Sequence, residues 1–415
     1  MTAARYRPAI RSLLSAIPAA TLRAAQLAVA VPVGYLGVLT GAAWVSTILG
    51  SRPSPAGATR FVVLAPAHDE ELVIAATIRA LDALAYPRDL FRVHVVADHC
   101  TDRTVEICQA AGTDVLIHDG PEPGKGPALR WAIDKLDPVD GDVIVIIDAD
   151  TLVGPDALRE FDVAFAAGAT VAQGYYGVRH AGTSPSEGFR AAALATRRHL
   201  RPLGRNRLGA SSGLYGNGMA CRASVFRRHG FSAHLTEDME LQLQLLLEGT
   251  NVTYVPGADL AAQMPSTLAD AKTQNERWER GRLELTRQYL PRLLHGVIRP
   301  SGGRRAALAD GALDMLVPPL SVLATATVAV SSVTTATSLV TRRRHSWLPH
   351  LAGLGIGVHV LSALVMVGAP RSVYRSLLGA PAIVWWKVRL WFRVLTNGDD
   401  VTWVRTTREK VSDEL

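Results

Sequence analysis

The chain has 415 residues, of which 48% are hydrophobic and only 20% are charged, and its net charge is +7. Its length predicts two or three domains, or one catalytic domain with membrane segments. The basic excess lies mainly beside long apolar segments, which favours lipid headgroups over nucleic acid as the partner. The three cysteines, Cys100, Cys108 and Cys221, lack metal-ligand spacing and argue against a disulfide scaffold or a zinc site.

Three stretches without Asp, Glu, Lys or Arg follow Arg23, Asp314 and Arg344. Each is long enough to cross a hydrocarbon core of about 30 Å as a helix. The last part of the chain mixes tryptophan with lysine and arginine, which predicts a helix lying along the membrane surface. We therefore expect a multi-pass protein of the cell membrane, with a basic leader at 1–23, transmembrane helices at 24–50, 312–340 and 348–369, and an interfacial helix and tail at 374–415.

Between the first and second apolar stretches, short buried-strand patterns alternate with helical patterns, and this alternation predicts an α/β domain with a Rossmann-like, mostly parallel sheet. We place this domain at 58–265, followed by basic amphipathic helices at 266–305. Ligands of such sheets bind beyond the carboxyl ends of the strands. Polar clusters follow the expected strands 61–65, 91–97 and 142–147 at that edge.

Asp148 and Asp150 form an Asp-x-Asp pair directly after a strongly apolar strand. Two carboxylates with one spacer suit a hard divalent cation, Mg²⁺ or Mn²⁺, that also bridges a diphosphate. The alternative is a strand-end turn that happens to carry two aspartates.

Two further polar positions follow expected strands. Asp98 could hydrogen-bond a base or a ribose, although a helix cap near Thr104, supplied by Asp102, is the simpler explanation. Lys125 lies between two glycines and could supply a point charge for phosphate, although a surface turn has the same composition.

The second half of the domain adds a carboxylate pair and an aromatic-basic motif. Glu237 and Asp238 begin an amphipathic helix, where a carboxylate can act as a general base or simply cap the helix. Gln274 and Arg277 lie about one helical turn apart, followed by Trp278, so they can face a phosphate and a sugar. A membrane-facing basic helix with a tryptophan anchor is the alternative.

The order of these motifs resembles glycosyltransferase family 2, the inverting enzymes of the GT-A fold. Its membrane-bound branch includes cellulose, hyaluronan and poly-N-acetylglucosamine synthases and ceramide glucosyltransferase. The resemblance covers about residues 58–290 and is carried by PAHDEE (66–71), Asp98, Gly-Lys-Gly (124–126), Asp-x-Asp (148–150), Glu-Asp (237–238) and Gln-x-x-Arg-Trp (274–278). One departure is Asp69, where the family more usually has asparagine, so Asp69 is given no role.

The resemblance implies a role for each matching residue. Asp238 would be the catalytic base, and Asp150 with Asp148 would bind Mg²⁺ or Mn²⁺. The nucleotide-sugar donor would contact Pro66, Ala67, Glu70, Asp98, Lys125, Asp148 and Arg277. The acceptor and diphosphate side would include Gly216, Asn217, Gly218, Glu237, Gln274 and Trp278.

The expected activity is inverting transfer of a hexose or N-acetylhexosamine from a nucleoside diphosphate sugar, expected to be a UDP-sugar. A count of about three spans favours a lipid or lipid-linked acceptor; a processive polysaccharide synthase stays open, and a catalytically dead receptor or scaffold would have lost Asp150 or Asp238. A cytoplasmic donor places the catalytic domain in the cytoplasm. The four arginines of the leader and Arg342–Arg344 would then lie outside, against the positive-inside tendency.

Overall fold

The computed structural model describes 18–50, 57–178, 185–231, 236–262, 270–299, 304–341 and 344–379, together with 384–385, 388–389 and 391. Within these ranges, an eight-stranded sheet forms the centre of the α/β domain, and long apolar helices pack beside it. The basic leader as far as residue 17, Arg342, Arg343 and most of the expected tail lie outside the described residues.

The sheet has the order β3-β2-β1-β4-β7-β6-β8-β5. The strands are β1 Phe61–Ala67, β2 Phe91–Asp98, β3 Asp114–His118, β4 Val143–Ile146, β5 Thr151–Val153, β6 Val171–Val178, β7 Met219–Arg222 and β8 Val252–Ala262. The pairs β1–β2, β1–β4, β2–β3 and β6–β8 are parallel, whereas β7 pairs antiparallel with β4 and β6, and β5 pairs antiparallel with β8. The expected mostly parallel α/β sheet is confirmed, with antiparallel pairings that the sequence did not predict.

Helices cover both faces of the sheet, and the central strands β1 and β4 are accordingly apolar along their whole length. Alternate residues of β1 enter opposite cores: Phe61 and Val63 pack on one side, Val62 and Leu64 on the other. The first helix, α1 Ala19–Leu49, is one of the long apolar helices beside the sheet. The domain helices are α2 Ile74–Asp82, α3 Thr104–Ala110, α4 Lys125–Leu136, α5 Ala157–Ala166, α6 Pro185–Ala195, α7 Arg201–Arg207, α8 Ala223–His229 and α9 Glu237–Glu248. A π-helix, Thr196–Leu200, joins α6 to α7.

The remaining helices follow the sheet in the chain. They are α10 Asp270–Ile298, α11 Arg305–Leu316, α12 Leu320–Thr341, α13 Leu348–Met366 and α14 Arg371–Ser376, with a final 3₁₀ turn at Leu377–Gly379. The expected helix over 312–340 is divided, because Pro318 and Pro319 interrupt it: α11 ends at Leu316, Val317 is extended, and α12 begins at Leu320.

Among the described residues, α1, α12 and α13 are long and apolar enough to cross a membrane. Polar side chains join them. Gln26 donates from Nε2 to Oγ1 of Thr334 over 3.1 Å, and Trp44 donates from Nε1 to Oγ of Ser362 over 3.0 Å. Such contacts between helices satisfy polar atoms that hydrocarbon could not. They fix the three apolar helices as one bundle.

Candidate active site

Lys125 is the centre of the polar cluster at the sheet edge. It is the first residue of α4, and it follows Gly124, whose φ of 129° is accessible to glycine but not to other residues without strain. Its Nζ atom donates to Oδ1 of Asp148 over 2.5 Å and to the carbonyl oxygen of Gly216 over 2.7 Å. One ammonium group therefore joins the Asp-x-Asp turn to the glycine-rich loop.

Asn217 supports the Asp-x-Asp turn with two side-chain hydrogen bonds. Its Oδ1 atom accepts a hydrogen bond from the backbone N–H of Asp148 over 3.1 Å, and its Nδ2 atom donates to Oγ1 of Thr151 over 2.7 Å. The Asn217 residue is fully buried, and its carbonyl oxygen accepts from Nε2 of Gln173 over 2.8 Å. The side chain of Asn217 thus holds the chain at Asp148 and at Thr151, on either side of Asp150, and its expected role on the acceptor side stays a prediction.

Asp238 lies on the other side of the glycine loop, in the first turn of α9. Its Oδ1 atom accepts from the N–H of Met239 over 2.8 Å. A Cβ atom on Gly216 would lie 3.3 Å from Oδ2 of Asp238 and 3.6 Å from Nζ of Lys125, and the φ of Gly216 is 70°. Space and backbone conformation both therefore require glycine beside this carboxylate.

Burial and neighbouring charges shift the pKa values of Asp238 and Lys125. Burial raises the pKa of Asp238, which Lys125 and the arginines Arg197 and Arg198 oppose. Burial opposes the charge of Lys125, but the carboxylates of Asp148, Glu237 and Asp238 outweigh it and raise the lysine pKa. The cluster therefore combines a charged lysine with a carboxylate whose proton affinity is increased, which is the property of a general base.

Asp98 is buried at the end of β2 and holds three groups. Its Oδ1 atom accepts from Nδ1 of His99 and from Nδ1 of His118, each over 2.8 Å, and its Oδ2 atom accepts from the N–H of Gly124 over 2.7 Å. Burial opposes its charge, but these hydrogen bonds lower its pKa. The carboxylate fixes the loop that presents Lys125.

Both ring nitrogens of His99 face hydrogen-bond acceptors. Its Nδ1 atom faces the Asp98 carboxylate, and its Nε2 atom lies 2.9 Å from the carbonyl oxygen of Gly120. The imidazolium form, with hydrogen on both nitrogens, is therefore the form that satisfies both partners. The hydrogen bond to Asp98 raises the pKa of His99, in agreement with this geometry.

Two donor sets in the described residues could hold a metal. Asp98, His99 and His118 place three ligand atoms within 4.8 Å of one another, two of them ring nitrogens that are hydrogen-bonded to Asp98. Asp148 and Asp150 offer only carboxylate oxygens, the ligands that Mg²⁺ and Mn²⁺ prefer. One oxygen of each accepts a hydrogen bond, from Lys125 and from Thr151 respectively. The chemistry of the second set therefore fits the expected cation better.

The first loop, which follows β1, is hydrogen-bonded to the residues that follow β2. Pro66 and Ala67 end β1, and the N–H of Glu70 donates to Oγ1 of Thr104 over 2.8 Å. Asp69 has a φ of 54°, and its Oδ1 atom accepts from the N–H groups of Thr101 and Asp102 over 2.6 and 3.1 Å. Asp69, which the sequence left without a role, thus ties the loop after β1 to the loop after β2.

Arg198 is a site residue that the sequence did not reveal. It lies in the π-helix with only 6% of its surface exposed, and burial lowers its pKa. Its guanidinium carbon lies 4.0 Å from the ring centroid of Tyr176, 5.4 Å from that of Tyr215 and 5.7 Å from that of Trp278. π-Helical turns frequently mark functional sites, but the sequence TRRHL does not distinguish one from an ordinary helix.

The last motif lies on α10, which begins at Asp270. Trp278 is half-buried and contacts Arg198. The side chains of Gln274 and Arg277 lie outside the described residues. Among the expected site residues, the structure thus brings together Lys125, Asp148, Gly216 and Asp238.

The model of the family described as "Glycosyltransferase like family 2" matches residues 58–281. The chain is 28% identical over 243 residues to the probable glycosyltransferase YdaM of Bacillus subtilis, covering 55% of this chain and 56% of that protein. It is also 28% identical over 275 residues to the beta-monoglucosyldiacylglycerol synthase of Synechocystis sp., covering 63% of this chain and 54% of that one. The aligned segments thus span about half the length of both curated relatives.

Solved structures with a similar chain path include two glycosyltransferases. A mannosyltransferase from Pyrobaculum calidifontis, in complex with GDP-Man and Mn²⁺, has 16% identity and a TM-score of 0.49 over 82% of this chain and 98% of that one. Glucosyl-3-phosphoglycerate synthase from Mycobacterium tuberculosis, in complex with Mn²⁺, UDP-glucose and phosphoglyceric acid, has 21% identity and a TM-score of 0.42 over 61% of this chain and 88% of that one.

Proposed function

Because the chain belongs to the glycosyltransferase-like family 2, we propose that it transfers a hexose or N-acetylhexosamine from a UDP-sugar to a lipid or lipid-linked acceptor at the membrane. Family membership confirms the expected enzyme class, a glycosyltransferase, and with the sheet topology it confirms the expected GT-A fold class. The donor nucleotide, the acceptor and the inverting stereochemistry belong to the proposal.

One observation carries the mechanism. Lys125 contacts Asp148 and the Gly216 carbonyl, and Asp238 lies against the same glycine. Four segments far apart in the chain thus converge on one point, with an ammonium group for a phosphate and a carboxylate for an acceptor proton. A turn with capping aspartates would not require this convergence.

The proposed reaction is a single displacement. Asp238 takes the proton of the acceptor hydroxyl while the acceptor oxygen bonds to the anomeric carbon, and the bond from that carbon to the diphosphate oxygen breaks. The nucleoside diphosphate leaves with the electron pair, and the configuration inverts. Lys125 and Arg277 would stabilise the negative charge on the departing group.

A divalent cation, Mg²⁺ or Mn²⁺, would be held by Asp148 and Asp150, where it supplies positive charge to the diphosphate. Pro66, Ala67, Glu70 and Asp98 would surround the nucleoside. Glu237, Gln274 and Trp278 would line the acceptor side together with the backbone of Gly216 and Gly218.

A lipid acceptor is supported by two observations. A relative at 28% identity is named as a synthase of beta-monoglucosyldiacylglycerol, a glycolipid. Among the described residues, three helices are apolar enough to cross a membrane, and they pack beside the catalytic domain. We propose a multi-pass protein of the cell membrane whose catalytic domain faces the cytoplasm, where nucleotide sugars are found.

The size of the product tests the proposed transfer to a lipid. Membranes containing the full chain are incubated with radiolabelled UDP-glucose or UDP-N-acetylglucosamine, with Mn²⁺ or with a chelator. One sugar on a lipid, extracted into organic solvent and dependent on the cation, supports the proposal. A long water-soluble polymer would assign the chain to processive synthesis instead, and absence of donor turnover with every donor would indicate a non-catalytic protein.

A further inference from the structure

A cavity of about 500 Å³ lies between the catalytic domain and the apolar helices. Its lining residues include Tyr215 and Met239, the neighbours in the chain of Gly216 and Asp238. Residues of α12 and α13 also line it, namely Leu320, Ala324, Ile356, Val360 and Leu361. Its volume is that of an ordinary ligand site. The cavity thus adjoins both the segments that carry Gly216 and Asp238 and the helices able to cross the membrane.

The polar part of the cavity carries an excess of positive charge. Four arginines line it, Arg197, Arg201, Arg205 and Arg282, against two carboxylates, Glu279 and Asp314. Arg205 is neutralised, since its Nη2 atom lies 2.5 Å from Oδ2 of Asp310 and its Nη1 atom lies 3.4 Å from Oδ2 of Asp314. Arg201 shares Asp314 at 3.6 Å.

The two other arginines, Arg197 and Arg282, differ from Arg201 and Arg205 in their partners among the described residues. In the described part of the chain, no carboxylate lies within ion-pair distance of Arg197 or Arg282. The Arg282 guanidinium instead donates to the main-chain carbonyls of Asp314 and Met315 over 3.3 and 3.4 Å, and also to that of Val317. Burial lowers the pKa of Arg282 to about 10, which still leaves it charged at neutral pH. Planar guanidinium groups are well suited to phosphate.

We infer that this cavity binds the acceptor, and that the acceptor is a lipid whose headgroup carries both a phosphate and a free hydroxyl. This inference rests on the proposed function and narrows its acceptor class. The phosphate lies by Arg197 and Arg282, the hydroxyl faces Asp238, and the hydrocarbon lies against α12 and α13. The hydroxyl proton goes to Asp238, and the oxygen replaces the diphosphate on the anomeric carbon.

The test compares three acceptors with the full chain in proteoliposomes or detergent: phosphatidylglycerol, diacylglycerol and water-soluble glycerol 3-phosphate. With the labelled donor that the enzyme turns over, we expect transfer to phosphatidylglycerol to exceed transfer to diacylglycerol by about tenfold or more, because an arginine–phosphate contact is lost. Equal or better transfer to diacylglycerol would overturn the inference while leaving the proposed function intact. Transfer to glycerol 3-phosphate that equals transfer to phosphatidylglycerol would overturn the claim that the acceptor must be a lipid.

Charge in the cavity is tested by Arg197→Gln, with Arg207→Gln as the matched control on the exposed side of α7. Arg197→Gln is expected to raise the KM for phosphatidylglycerol about tenfold and to bring the ratio of the two lipids towards one. Arg207→Gln should leave both unchanged. An unchanged lipid ratio in Arg197→Gln would contradict the role of this arginine.

The apolar wall is tested by Gly357→Phe. Gly357 lines the cavity, and a Cβ atom there would meet nothing within 4 Å, so the position has room to begin a larger side chain. Gly37→Phe is the control, an exposed glycine of α1 that also has open space. Loss of lipid transfer only in Gly357→Phe, with donor hydrolysis retained, supports the inference. Full lipid transfer in Gly357→Phe would place the acceptor elsewhere, and a polymer product in the wild type would remove the proposed function itself.

Discussion

Lys125 and Asp148 are 23 residues apart in the chain, yet the lysine Nζ atom lies 2.5 Å from the Oδ1 atom of the aspartate. The lysine begins α4, and the aspartate follows β4, so the contact joins two loops at the same edge of the sheet. Because the same ammonium group also reaches the Gly216 carbonyl, it connects the proposed metal site to the loop beside the proposed base.

Replacing Lys125 by methionine should lower kcat/KM for the donor about 100-fold, because one preorganised positive charge at the diphosphate is removed. Lys125 lowers the pKa of Asp238, so the residual activity of Lys125→Met should also require a higher pH than that of the wild type. A pH profile of donor turnover measures both effects. Lys135→Met, ten residues further along α4 and about 15 Å away, should leave kcat/KM and its pH dependence unchanged. An unchanged pH profile in Lys125→Met would show that Lys125 does not influence the base Asp238.

Replacing Asp150 by asparagine should remove the stimulation of donor turnover by Mn²⁺, because a carboxylate ligand of the proposed cation is lost. The measurement is turnover as a function of Mn²⁺ concentration. Asp156→Asn is the control, since Asp156 is exposed at the start of α5 and pairs only with Arg159, at 3.5 Å, among the contacts described. Equal Mn²⁺ dependence in Asp150→Asn and the wild type would exclude Asp150 as a ligand.

Asn217→Ala should destabilise the fold by about 1–3 kcal/mol, because the buried Asp148 N–H and Thr151 hydroxyl would each lose a partner. It should also raise the KM for the donor, since the Asp-x-Asp turn loses its support. Thermal unfolding in detergent and donor kinetics check the two effects. Asn251→Ala removes an exposed asparagine that contacts the Gly209 carbonyl and should change neither; a stable, fully active Asn217→Ala would refute the positioning role.

His99 should make stability depend on pH near neutrality. Its pKa is raised in the folded state, so its stabilising contribution is complete below the unfolded pKa of about 6.5 and is lost as pH rises through the folded value. Thermal unfolding of the wild type against His99→Gln should show a difference in Tm at pH 6 that shrinks at higher pH. The exposed His295 supplies the control variant His295→Gln, which should follow the wild type; a constant difference across pH would contradict the imidazolium assignment.

The parallel half of the sheet could be predicted because its strands are continuous apolar runs between turn residues, as in FVVLA (61–65) and DVIVII (142–147). The antiparallel strand Met219–Arg222 could not, since four residues carry no periodicity and their place depends on the chain returning between β4 and β6. The direction of the Asn217 side chain and the π-helix around Arg198 likewise depend on tertiary packing. The sequence predicted which kinds of residue form the candidate site, but it could not predict which of them are in contact.

Asp238→Asn removes the proposed base, and transfer and UDP binding are measured on the same preparation. We expect transfer to fall on the order of 1,000-fold, since a general base is lost, while UDP binding in Mn²⁺ survives. Because burial raises the pKa of Asp238, wild-type activity should begin to fall, as the pH is lowered, at a pH above the usual carboxylate range. Glu248→Gln, at the exposed end of the same helix, should behave as the wild type. Full transfer by Asp238→Asn would show that Asp238 is not the base.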